Sequence, residues 1–185
     1  SLHQGAPDQV ARMLIDETAE VGIATEALLN YSELVTLPCY EWQHILVMPP
    51  EHRLCKVKNI TLEELAREPL ITYHPSFTGR TKIDAAFAKA KLSPRIALEA
   101  IDSDVINTYV RLGLGVGIVA EMALKTEDLS SSKPLEIRPV GHLFGTNITR
   151  LAFKRGSYIR NFVYSFAQAL APQLKRADID LAMAS

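Results

Sequence analysis

Two long extended passages, residues 35–48 and 137–150, limit how this chain can fold more than any other feature. The first is interrupted by Pro38 and ends at Pro49-Pro50, which a strand buried along its whole length would not tolerate. The pair brackets the middle of the sequence. The simplest arrangement is an inserted lobe reached by one crossing strand and left by another. Lobe I is then expected over 1–40 and 144–185, and lobe II over 41–143. A ligand cleft is expected where two such lobes meet.

Around these passages, strand and helix signals alternate. Leu2-His3-Gln4 has the look of a short strand, and Pro7 suits the first turn of a helix carrying Val10, Met13 and Leu14 on one face. Val21–Thr25 is a second short strand. Strand, helix, strand in so short a span predicts a crossover and parallel pairing, with Thr25 at the strand's carboxyl end, where open α/β sheets bind ligands. Thr61-Leu62-Glu63-Glu64 is a capping box opening a helix that Pro69 stops. Strand 70–73, a helix from Gly79, and strand 95–100 follow. Asp102 or Ser103 caps the next helix, which carries Val105, Ile106, Tyr109, Val110 and Leu112. The glycines of Gly113-Leu114-Gly115-Val116-Gly117 come after a helix and before strand 116–120. A dinucleotide fingerprint needs the reverse order, so they read as a helix stop and tight return. Thr126–Lys133, with Ser130-Ser131-Ser132, reads as a surface loop. Strands are expected at 135–140 and 148–154. A helix is expected over 157–170 with Ile159, Phe162, Val163, Phe166 and Leu170 inward, then a weak helix in the tail 176–185. The fold class is α/β.

One stretch stands out chemically. Ile71-Thr72-Tyr73-His74-Pro75-Ser76-Phe77-Thr78-Gly79-Arg80-Thr81-Lys82-Ile83 reads as strand, loop and helix start. Thr78 is an N-cap candidate, and Gly79 lets a ligand approach the backbone. The free first-turn amides, with Arg80 and Lys82 nearby, suit a small anion. An ordinary helix cap is the competing reading of this stretch taken alone.

Composition removes several classes of function. The net charge is −1 with no Lys/Arg run, which argues against nucleic-acid binding by these residues. No apolar run reaches membrane-spanning length, and no signal peptide is evident. Cys39 and Cys55 make neither a disulfide framework nor a zinc motif, and both are expected as free thiols. Cys39 and His44 fall on opposite sides of a strand, which disfavours a thiol–imidazole pair. No paired carboxylates, metal cluster or nucleophile–base spacing points to an enzyme. No cofactor or metal is expected.

The chain resembles the effector-binding domain of LysR-type transcriptional regulators, in the branch that controls the cysteine regulon. The matching residues are Ile23-Ala24-Thr25-Glu26-Ala27-Leu28, Leu37-Pro38-Cys39-Tyr40 followed by Trp42, Phe77-Thr78-Gly79-Arg80, Asp102 with Asp104-Val105-Ile106, Thr108 to Gly117, and His142-Leu143-Phe144. The resemblance implies a type 2 periplasmic-binding-protein-like fold of two α/β lobes joined by two crossing strands. It implies a cytoplasmic regulator of sulfur assimilation and cysteine biosynthesis that forms homodimers, or tetramers at full length. It also implies effectors of two kinds, O-acetylserine or N-acetylserine and sulfate or thiosulfate, held between the lobes by threonine hydroxyls and backbone amides. Thr25 and Thr78 match those threonines, Gly79 and Arg80 continue the second motif, and Tyr40 and Trp42 match aromatic positions of the cavity wall. The same likeness implies that a winged helix-turn-helix, a linker helix and a first strand–helix unit lie outside this sequence. Operator DNA and RNA polymerase would then be partners of the full-length protein only. The alternative from the same fold is an extracytoplasmic solute-binding protein for a small anion.

Overall fold

The computed structural model describes residues 1–123 and 134–184. The serine-rich loop expected over 126–133 lies outside the described residues. The chain divides into two compact units, Ser1–Glu41 with Asn147–Ser185, and Trp42–Thr146.

In the first unit, β1 (Gly22–Thr25) pairs antiparallel with β7 (Thr146–Lys154), with Gly22 opposite Ala152 and Thr25 opposite Thr149. On its other side β7 neighbours β2 (Leu34–Met48), which carries the chain into the second unit. Helix α1 (Pro7–Ile15) opens on proline and buries Ala11 and Leu14 with Leu28, Leu34 and Ala152. Residues 1–6 form no strand, and β1 is antiparallel to β7, so the expected N-terminal crossover is absent. Without a partner, Leu2-His3-Gln4 has no ladder to satisfy its backbone, and local alternation alone does not make a strand.

Helices α6 (Asn161–Leu170) and α7 (Arg176–Ala184) contribute Val163, Ala167 and Ile179 to a core with Cys39, Leu151 and Phe153. Here the expected inward face needs correction. Ile159 and Val163 are buried, but Phe162 and Phe166 are 60% and 44% exposed. The helix begins at Asn161 rather than Ser157, and its buried stripe runs through Val163 and the small Ala167. The two phenylalanines line an open apolar groove of about 320 Å³ with Leu2, Val10 and Ile23.

In the second unit, β2 pairs antiparallel with β5 (Val116–Ala120) and β6 (Glu136–Pro139), while β3 (Pro69–Tyr73) pairs parallel with β5 and with β4 (Arg95–Ala100). Alternation along β2 sends Leu46 and Met48 to one face and Ile45 and Val47 to the other. The first face is covered by α2 (Leu62–Ala66), α3 (Thr78–Lys89) and the short α5 (Gly141–Phe144). The second is covered by α4 (Ser103–Arg111) through Ile106 and Val110. On α3, Ile83 and Phe87 lie one turn apart and are almost wholly buried. Each contributes roughly 1.5–3 kcal/mol by leaving water, which fixes α3 on the sheet and sets where its first turn falls.

Local signals hold well here. Thr61 caps α2, its hydroxyl accepting from the Glu64 amide at 3.3 Å. Gly113 sits at φ +78° just past α4. The Gly113 amide reaches the Val110 carbonyl, and the Leu114 amide reaches that of Tyr109. This is the left-handed helix stop that glycine permits.

Candidate functional site at the first turn of α3

Strand β3 ends at Tyr73, and a tight turn follows in which the Phe77 amide donates to the His74 carbonyl at 3.0 Å. The N-cap of α3 is Phe77, not Thr78, with extended backbone and no side-chain cap. Thr78 is therefore the first helical residue. The turn from His74 thus brings the chain into helical geometry one residue earlier than the sequence suggests. No acidic residue occupies the first turn of α3, so the positive end of the helix has no carboxylate of its own there.

Gly79 is buried against the sheet. A methyl group there would stand 3.1 Å from His44 Nε2 and 3.3 Å from Trp42 Cη2, tighter than ordinary packing. Glycine thus suits the close approach here, and the approach is to the protein's own side chains. Arg80 is 7% exposed and held by three hydrogen bonds. Its Nε donates to Asp84 at 2.7 Å, and its Nη1 donates to Glu99 at 2.7 Å and to the Tyr73 carbonyl at 3.0 Å. The arginine therefore anchors α3 to β3 and β4, and its charge is matched within the fold. Lys82, one turn on, donates to the Thr146 carbonyl.

Behind the turn lies His44, which the sequence reading weighed only as a partner for Cys39. Its ring packs edge-on between Trp42 (centroids 5.3 Å apart) and Phe144 (5.5 Å). It is fully buried, and neither ring nitrogen has a hydrogen-bond partner among the described residues. Such an orphaned polar group costs about 1–3 kcal/mol. Burial, reinforced by the Lys82 charge, pulls the imidazole pKa down to about 4, and the adjacent Gly79 backbone offsets this only in part. The ring is therefore neutral at pH 7. The available signal was parity, since Trp42 and His44 share one face of β2, the face that α3 covers.

The other expected residues are distributed over both units. Thr25 ends β1 in the first unit, opposite Thr149, and precedes a 3-10 turn (Glu26–Asn30). Glu26 accepts from the Ile148 amide at 3.0 Å. Tyr40 is 38% exposed in the first unit, and Trp42 is buried in the second. Both cysteines are free, and burial raises both thiols above their ordinary range. The Cys39 thiol points at the Leu37 carbonyl and not at an imidazole. Among the described residues no group of three His, Cys, Asp or Glu side chains could hold a metal ion, and no helix is long and apolar enough to cross a membrane.

The alternating strands and helices, with a helix start presented at a strand's carboxyl end, define a ligand-binding α/β domain. The LysR substrate binding domain family matches residues 1–175, and the chain belongs to it. The chain is 52% identical over 183 residues to the HTH-type transcriptional regulator CysB of Burkholderia cenocepacia, covering 99% of this chain and 58% of that protein. It is 44% identical over 179 residues to the regulator SsuR of the same organism, covering 97% of this chain and 57% of that one. Among solved structures, the cofactor-binding domain of the Cbl transcriptional regulator superposes with a TM-score of 0.89 at 42% identity, covering all of this chain and 80% of that one. The fold is accordingly the type 2 periplasmic-binding-protein-like fold of these domains, which are ligand-binding and regulatory rather than catalytic. The chain spans somewhat over half the length of these curated relatives.

Proposed function

We propose that this chain senses the effector of a regulator of sulfur assimilation and cysteine biosynthesis, and that the first turn of α3 seats the effector's anionic group. The effector is sulfate or thiosulfate, or O-acetylserine or N-acetylserine bound through its carboxylate. The observation that carries this reading is a helix start with no side-chain cap and no acidic residue, a threonine as its first residue and a lysine one turn on. Aligned first-turn amides and the helix dipole favour negative charge at such a place. The likeness to CysB, SsuR and Cbl supports the sulfur-related class of effector. Arg80 serves by holding the helix in position, and Gly79 by letting α3 lie close to β2.

In the complete regulator, operator DNA and RNA polymerase are contacted by the longer, homo-oligomeric protein, and this part contributes the response to ligand. The test is titration calorimetry with sulfate and with N-acetylserine on the wild type and on Thr78→Ala. Loss of one hydroxyl hydrogen bond to a charged group is worth about 1.5–3 kcal/mol, so affinity drops roughly 10- to 150-fold. Equal affinity in the two proteins would remove the anion from this turn.

A further inference from the structure

We infer that His44 is the buried proton-carrying partner of the α3 anion site: when a negative charge settles on the first turn, the imidazole takes a proton from solvent, and anion and proton bind together. This rests on the reading of the α3 turn as an anion site. Three observations carry it. The ring lies directly against that turn, with Nε2 close enough to Gly79 that a methyl there would stand 3.1 Å away. It is wholly buried, and neither nitrogen has a well-formed hydrogen bond among the described residues, the Gly79 backbone being the one polar group that favours its charged form. Its flanking side chains on β2 and α5, Trp42 and Phe144, are aromatic and hold the ring in one place.

The surrounding charges set the direction of the effect. On α3, Lys82 opposes a proton on His44, while Arg80 is matched by Asp84 and Glu99. On α5, His142 is turned to the Ile60 carbonyl. Opposite His44 on β5 is Ala120, and Glu121 beyond it accepts from the Gln43 amide. In the turn before α3, His74 is bound to Ser76. The ring therefore faces a lysine and the positive end of a helix, and it stays neutral until an anion reverses the local potential. Binding then lifts the imidazole from its free value of about 4 toward the ordinary range. Each unit of that rise multiplies affinity tenfold at low pH.

The experiment is calorimetry of the 185-residue chain with sulfate between pH 7 and pH 5, in two buffers of different ionisation enthalpy, together with imidazole nitrogen NMR of His44. Sulfate does not titrate in this range. The expected result is about tenfold tighter binding at pH 5 than at pH 7, with net proton uptake. That uptake is lost in His44→Gln and kept in His74→Gln. If sulfate binds and Thr78→Ala weakens it, but no proton is taken up and the His44 resonances do not move, the role of His44 is overturned and the anion site stands. If Thr78→Ala leaves sulfate binding unchanged, both are overturned. Should His44→Gln fail to fold, the wild-type NMR titration decides alone.

Discussion

Helices α3 and α4 begin in the same unit, each after a strand of the same sheet, yet their first turns are finished differently. At α4 the Asp102 carboxylate accepts from the Asp104 amide at 2.7 Å, and Asp104 adds a second negative charge. At α3 the N-cap is Phe77, with no side-chain bond and no acid in the first turn. Both helices carry the same partial positive charge. One start is closed by its own carboxylate, and the other has no carboxylate in its first turn. The polar groups behind the open start divide in the same way. Arg80 is paired with Asp84 and Glu99, while His44 has no side-chain hydrogen-bond partner among the described residues.

The largest expected effect tests the leftover group. His44 titrates near 4 when folded and near 6.5 when unfolded. The unfolded chain then binds more protons in that window, so stability is complete above about pH 6.5 and falls as the pH drops toward 4, by roughly 3 kcal/mol in all. Denaturant melts from pH 7 to pH 4 should show this slope, and His44→Gln should flatten it. Sulfate should also flatten it in the wild type. A slope unchanged by the substitution would assign it to other groups.

The second test converts one helix start into the other. Phe77→Asp gives α3 a carboxylate cap like that of α4. It should lower sulfate affinity at least tenfold, since the anion must now displace or face a resident charge of about 1.4 kcal/mol or more. The helix itself should survive, because Ile83 and Phe87 still anchor it. Sulfate binding undiminished in this variant would mean that the anion does not use the turn.

The reverse change is smaller. Asp102→Ala opens α4 and should cost about 1 kcal/mol of stability, read from the urea midpoint. Sulfate affinity should not change. A matching loss of affinity would show that the two helix starts are not independent.

The smallest effect is optical. Trp42 is the sole tryptophan and lies 5.3 Å from His44. A charge gained by the ring should alter its emission at pH 5 when sulfate is added, and much less so in Thr78→Ala. No change at saturation would mean that the ring's charge is constant.

Much of this protein was legible from local pattern. Periodicity gave the helices after Pro7 and Gly79, alternation gave β4, and residue chemistry gave the cap at Thr61, narrowed that of α4 to Asp102 or Ser103, and gave the stop at Gly113. Each of these is settled within a few residues by sterics and backbone hydrogen bonding, so the sequence determines it alone. Tertiary structure decided whatever depends on a distant partner. Residues 2–4, expected as a strand, pair with no strand among the described residues. Phe162 and Phe166 match the helical period but face outward, because packing on Cys39, Leu151 and Phe153 selected the stripe through Val163 and Ala167. Arg80, cationic in sequence, is neutralised by Glu99 on another strand. His44 became an orphan only when β2, α3 and α5 closed around it. Burial and unsatisfied hydrogen bonding belong to the assembled neighbours and not to any one segment, so no local reading could have found them.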